Sequence, residues 1–259
     1  MITSSLSMKI KSIKHTVSVE AKMMLLSLST ISVALMLPNQ QTHASTLSQV
    51  RNAASVLPGL GPPDVYYPSS WKGKWITEQT FTSVNITQDT TRIIPYIQKK
   101  YKDNEPLIYT RVYSSFDDSK VVLDRSLTTT SMWRSLLLDK AALCIWEYNN
   151  PNVATVQTSD GKLDEYKVMK RSIESGDYFG SSEFYRIAET ITSLQYSVPK
   201  IYGCRILSRY REEEKDDNGI VSKISGLERM YMYDADTLDI NAKPLSIIKS
   251  KFVMNRQIS

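Results

Sequence analysis

Histidine is nearly absent from this chain: of 259 residues only His15 and His43 are histidine, and both fall in a segment that reads as a removable address. A mature chain without histidine excludes His-based nucleophile triads and the commonest zinc and iron sites. Cysteine is as scarce, and Cys144 and Cys204 lie too far apart in sequence for a CxxC redox motif. Long hydrophobic runs are missing as well. The longest, Met23–Leu37, falls short of the roughly 20 residues a membrane-spanning helix needs. Charge of one sign is also lacking. The formal net charge is +5, but residues 1–44 carry Lys9, Lys11, Lys14 and Lys22 against Glu20 alone, so the remainder is close to neutral. That is no electrostatic footprint for nucleic acid.

What is present favours strands. Fifteen tyrosines, plentiful Thr and Val, and only nine glycines are the composition of a pleated, half-buried surface. Residues 1–22 are Ser/Thr- and Lys-bearing, the apolar run follows and stops at Pro38, and Thr42-His43-Ala44 has small residues where a signal peptidase needs them. Residues 1–44 therefore read as a targeting segment, either a secretory signal or a two-part plastid-to-lumen address; a retained N-terminal anchor is the plain alternative. Residues 45–63 read as a linker with a short helix, Leu47 to Leu57, and a Pro/Gly-rich tail.

From residue 64 to 257 the pattern is strand, turn, strand, repeated every ten to fifteen residues, as in a sandwich or barrel. Strands are expected at Lys74–Val84, Leu107–Ser114, Val121–Arg125, Ala141–Tyr148, Val153–Thr158, Leu163–Arg171, Glu183–Thr190, Cys204–Glu212, Ile220–Tyr233 and Leu245–Arg256. Asp160-Gly161 and Asp217-Asn218-Gly219 are hairpin signals, because tight primed turns need positive φ. Ala141–Tyr148 reads as buried on both faces, Gly226 as a bulge or sharp coil, and Thr130–Leu138 as one inserted helix with Trp133, Leu136 and Leu137 on its core face. The expected fold is mainly β: a single antiparallel barrel of about eight to ten strands with one short helix.

Several short motifs, in this order, resemble a known family. They are Val65-Tyr66-Tyr67-Pro68 with Trp71-Lys72-Gly73-Lys74-Trp75, then Val121-Val122-Leu123-Asp124-Arg125, Asn150-Pro151-Asn152 before a strand, and the closing Met254-Asn255-Arg256. Together they resemble the domain of unknown function 6816, a family of cyanobacterial and plastid proteins, over roughly residues 64–257. The Gly-x-Trp at Gly73 and Trp75 is also similar to the opening of lipocalin-like barrels. The resemblance implies a plastid, thylakoid-lumen setting (a secreted protein being the alternative) and a calycin-like barrel, and brings no established activity. The chain departs from the family in the acidic run Glu212 to Asp217 and in the Thr-rich stretch after Arg125.

The candidate residues follow. By the lipocalin likeness, Arg256 on the last strand is expected over Trp75, with Gly73 letting the first strand kink; the pair either floors a ligand cavity or is a packing latch. Tyr109, Arg111 and Tyr113 share one strand face, and either line a cavity for an anionic amphiphile or form an outward Tyr/Arg ladder. Asp124-Arg125 is either a polar site, with Arg125 binding an anion and Asp124 orienting it, or, since adjacent strand residues point to opposite faces, one solvated residue and one paired across the sheet. Cys144 and Cys204 either pair as a disulfide or remain two buried thiols. Asn85-Ile86-Thr87 matches a glycosylation sequon, and Glu212–Asp217 reads as a solvated hairpin tip lacking the ligand spacing of a calcium loop. No cofactor or metal is expected. Three functions stand open: a module binding a small lipophilic ligand, an auxiliary factor docking on photosynthetic membrane complexes and peripheral to the membrane at most, or an enzyme limited to carboxylates and tyrosines.

Overall fold

The structure, a computed structural model, describes residues 62–88, 91–117, 120–191, 198–234 and 242–257. The targeting segment and nearly all of the linker lie outside the described residues. Ten strands form one antiparallel sheet: β1 Gly73–Ile86, β2 Leu107–Asp117, β3 Lys120–Leu123, β4 Leu143–Glu147, β5 Asn150–Gln157, β6 Lys162–Ser175, β7 Phe179–Ile191, β8 Lys200–Lys215, β9 Val221–Asp234 and β10 Ser246–Arg256. Two helices interrupt them, α1 Ile94–Lys102 and α2 Arg125–Leu137, and a single 3-10 turn, Ser69–Trp71, precedes β1. The order across the sheet is β3-β2-β1-β10-β9-β8-β7-β6-β5-β4, so the first long strand and the last are neighbours. The sheet curls into a barrel-like wall whose concave side holds the core.

Alternation along the strands decides what points inward. On β10, Ser246, Ile248, Ser250, Phe252 and Met254 are buried while Lys249 and Lys251 between them are exposed, the period-2 signature of a sheet with one face in a core. Gly161 and Gly219 close their hairpins at φ 72° and 75°. Gly226 differs from expectation: the ladder runs unbroken through it. It is glycine because the Phe252 ring lies on it; a Cβ there would sit 2.1 Å from Phe252 Cζ and 2.5 Å from the Arg209 carbonyl oxygen.

The exposed flank of β2 and the edge strand β4 are bridged by α2. This helix begins five residues earlier than its apolar spacing suggests, because Asp124 is its N-cap, accepting from Leu127 N at 2.9 Å. Its Thr/Ser run serves as a hydrogen-bonding joint. Thr128 Oγ1 and Ser131 Oγ accept from Val112 N and Thr110 N on the free side of β2. On the other flank Thr130 Oγ1 accepts from Cys144 N, Ser126 Oγ donates to Cys144 O, and Arg134 Nε donates to Ala142 O. Backbone groups that an open sheet edge would leave bare are thereby satisfied. Tyr67 N does the same for β3, donating to Val121 O.

Two further expectations are corrected. Two helices stand where one was expected: α1 is the addition, and Pro95 is tolerated in its first turn, whose N–H groups have no intrahelical acceptor. Strand β4 is buried on one face only. Cys144 and Trp146 point inward, while Leu143 and Ile145 are 45% and 54% exposed on the convex side.

Candidate functional site

One end of the wall is a closed floor. Trp75 is fully buried and pairs in register with Arg256, whose guanidinium carbon lies 4.4 Å from the centre of the indole. Arg256 also donates to the carbonyls of Val221 (2.6 Å), Lys72 (2.7 Å) and Ser70. Gly73, at φ 131°, leaves room for it, since a Cβ there would stand 3.0 Å from Arg256 Nη1. Trp75 Nε1 donates to Trp71 O, and the rings of Tyr67, Trp71, Tyr113, Phe179 and Tyr210 pack edge-on or tilted beneath. Glu212, though exposed, also braces this floor: its carboxylate accepts from Trp71 Nε1 at 2.8 Å and Ser70 Oγ at 3.1 Å. The whole acidic run, Glu212 to Asp217, is exposed, as expected of a hairpin tip.

Directly above the floor, Tyr109, Arg111 and Tyr113 all point inward and are buried, so the outward ladder is not formed. Arg111 stacks 4.4 Å over Phe252, donates from Nε and Nη2 to Tyr109 Oη at 2.9 and 2.6 Å, and lies 3.6 Å from Glu228. Tyr109 Oη donates in turn to Gln79 Oε1, and Gln79 Nε2 donates to Glu228 and Ser250. Burial pushes the Tyr109 hydroxyl up to about 12, so it stays protonated. No buried side-chain nitrogen or oxygen of this group lacks a hydrogen-bond partner, which makes it a rigid polar layer.

Arg125 anchors a second group. As the first residue of α2 it turns inward, whereas Asp124 stays at the helix cap; the opposite-face geometry expected of two strand residues does not apply. Arg125 makes a fork to Asp64 (Nη1–Oδ2 2.9 Å, Nη2–Oδ1 2.7 Å) and reaches Glu183 Oε1 at 3.0 Å. Arg171, opposite Glu183 in the ladder, donates to the same oxygen at 2.5 Å and to Asn152 Oδ1 at 2.7 Å. The Tyr185 hydroxyl donates to Glu183 Oε2 at 2.6 Å. Burial alone would raise the Glu183 carboxyl, but the two guanidinium groups outweigh it and hold it at about 2. Asp64, Arg171 and Glu183 had no sequence signal beyond inward parity with Tyr185 and Ile187.

A third group sits at the end opposite the floor. Arg92, just before α1, donates through Nε to both Asp164 oxygens at 3.0 and 3.1 Å, and through Nη1 to Thr158 Oγ1. It stacks 5.0 Å over Trp133, and its backbone N–H donates to Glu189 Oε1. Asp164 and Glu189 are cross-strand partners, and burial raises both carboxyls. Arg92 Nη2 and Thr91 Oγ1 are buried there without a hydrogen-bond partner.

Between these layers a strip of the concave wall packs against the main core cluster while staying only partly buried. Met230, Ile206, Tyr185, Tyr166 and Ala154 occupy inward positions on five consecutive strands, β9 to β5, yet all keep partial solvent accessibility. The Tyr166 hydroxyl has no hydrogen-bond partner among the described residues, and its ring meets Tyr185 edge-on at 6.4 Å. A separate cleft of ≈ 310 Å³ opens outside the floor, between Trp71, Tyr210 and the β6–β7 turn at Ser175–Phe179.

Cys144 and Cys204 are both free and buried, on strands β4 and β8 with three strands between them; the disulfide is not formed. Burial pushes the Cys144 thiol up to about 11 and Cys204 higher still, so neither is a poised thiolate. Asn85 of the sequon is exposed at the end of β1. Among the described residues no cluster of three or more His, Cys, Asp or Glu is placed to hold a metal ion.

The profile of a family described as a domain of unknown function, DUF6816, matches residues 59–258. The chain belongs to that family. No curated protein matches the sequence.

Proposed function

We propose that this member of the DUF6816 family is a non-catalytic barrel that holds a small amphiphilic ligand on the concave face of its sheet. The observation that carries the reading is the inward, incompletely covered strip Met230–Ile206–Tyr185–Tyr166–Ala154. Ligand sites are concave, mostly apolar and supplied with few polar groups. Here Ile206, Met230 and Ala154 supply the apolar wall, and the Tyr166 hydroxyl is the donor for one ligand oxygen. The three buried ionic layers keep the wall rigid, and the Arg111 and Arg125 groups balance charge for charge. An enzymatic reading would rest on Asp164 and Glu189, the two carboxyls raised by burial, but Arg92 engages both. The address read from residues 1–44 and the family likeness favour a plastid, thylakoid-lumen home for this activity. Native mass spectrometry of protein purified from its own compartment tests the reading. A bound small molecule, displaced in Ile206→Trp and weakened in Tyr166→Phe, is expected; protein that purifies empty and takes up no apolar fluorescent probe overturns it.

A further inference from the structure

The convex side of β8, β9 and β10 carries a pattern that the barrel interior does not explain. Lys251 pairs with Leu227, and Leu227 with Arg209. Two residues along, Lys249 pairs with Arg229, and Arg229 with Leu207; two further, Ile247 pairs with Tyr231, and Tyr231 with Arg205. All nine face outward, because their neighbours Ser250, Phe252, Ser208, Tyr210 and Met232 are buried on the other face. The grid holds five cations, four apolar or aromatic side chains, and no acid.

The nearest acid on this side, Glu213, lies beyond the grid and accepts from Ser225 Oγ, while two others on these strands turn away. Glu228 enters the Arg111 layer and Glu212 the floor. None of the five cations is ion-paired among the described residues. Arg205 meets only the Ser182 hydroxyl at 3.3 Å, and Arg209 stacks 4.7 Å over Tyr178. Arg209, Arg229, Lys249 and Lys251 are exposed, and Leu227 in their midst is 61% exposed. A merely solvated face mixes both signs of charge. Cations of one sign interleaved with Leu, Ile and Tyr match the interfacial layer of a bilayer, where headgroup phosphates take the charges and the acyl boundary takes the apolar tips.

The geometry points to this convex face as a docking surface for an anionic lipid membrane. A nucleic acid would satisfy the cations but leave Leu227 and Ile247 in water. Among the described residues no helix is long and apolar enough to cross a bilayer, so this contact is peripheral. It is independent of what the concave side binds.

Cosedimentation of the full chain with lipid vesicles tests it, using phosphatidylcholine alone and phosphatidylcholine with about one third phosphatidylglycerol. Binding is expected to the anionic vesicles only, and to be lost on raising salt until the screening length falls below the headgroup contact. The double substitution Lys249→Gln with Arg229→Gln is expected to lower partitioning about thirtyfold, at two surface cations' worth of attraction, with the thermal midpoint unchanged. Leu227→Asn is expected to weaken binding at constant charge, whereas Lys99→Gln with Lys102→Gln on α1 leaves it alone. Equal binding to both vesicle types overturns the inference, as does indifference to the paired substitution. A single-stranded polynucleotide that strips the protein from vesicles at equal phosphate concentration would reassign the face to nucleic acid.

Discussion

Arg256 and Trp75 stand opposite each other on β10 and β1, and the guanidinium carbon lies over the indole, 4.4 Å from its centre. The contact joins the two ends of the barrel domain in sequence, and three backbone carbonyls fix the arginine in place. Trp75→Ala opens a cavity in a fully buried site and is expected to cost about 3–5 kcal/mol. Arg256→Ala should cost less, through lost stacking and hydrogen bonds, about 1–3 kcal/mol. Arg256→Lys, with one point charge for three carbonyls, should fall short of full rescue. Urea unfolding of the three variants measures the order.

The hydroxyl joint of α2 makes a prediction that residue volume alone would not. Thr128→Val and Thr130→Val keep shape but strip the acceptors from Val112 N and Cys144 N. Each should cost about 1–3 kcal/mol, because a buried N–H is left without a partner. Hydrogen exchange at Val112 should quicken in the first variant and at Cys144 in the second, with the β8–β9 ladder unchanged. Equal acceleration everywhere would mean global destabilisation and no local joint.

Gly226→Ala is expected to be among the most damaging single changes on β9. Its methyl group collides with the Phe252 ring and with a backbone carbonyl, and only the ring can move. Phe252→Leu in the same chain should therefore recover part of the loss and never all of it. Thermal midpoints of the single and double variants decide the matter.

Acid and alkali should act on different layers. The Glu183 carboxyl is held below its ordinary value, so its stabilisation is complete above the unfolded carboxylate range and is lost as pH falls from there toward about 2. Asp164 and Glu189 are raised, so the sign reverses. Their contribution is full at low pH, below the unfolded values, and is lost as pH rises through the raised ones. In a series of thermal melts from acid to neutral pH, Glu183→Gln should lose the acid-side fall. Asp164→Asn should lose the decline on the other side. Identical pH profiles for both variants would contradict the assignment.

Much of the sheet was legible from local pattern. Alternation on β6, β9 and β10, with Asp160-Gly161 and Asn218-Gly219 as turns, locates those strands because period and turn chemistry are both local properties. Helix α1 was illegible because Pro95 reads as a breaker unless the helix start is already known. Arg125 was misplaced because an apolar run feeding an N-cap looks like a strand that continues. The ionic layers were beyond reach for a deeper reason. Asp64 meets Arg125, Arg92 meets Asp164 and Trp71 meets Glu212 across long sequence separations, and no period or spacing encodes such meetings. The concave strip was half legible: parity places Tyr166 and Tyr185 inward, but only coordinates show that both stay partly accessible there.

A barrel closed entirely by strands has its circumference set by strand number and shear, and neither can change by a small step. Here the last link in the ring is a helix whose short side chains reach to both flanks. Lengthening or trimming those side chains would widen or narrow the bore without shifting the register of any strand. Helix α2 is thus the gauge of the ring, the one element through which its girth could be retuned residue by residue.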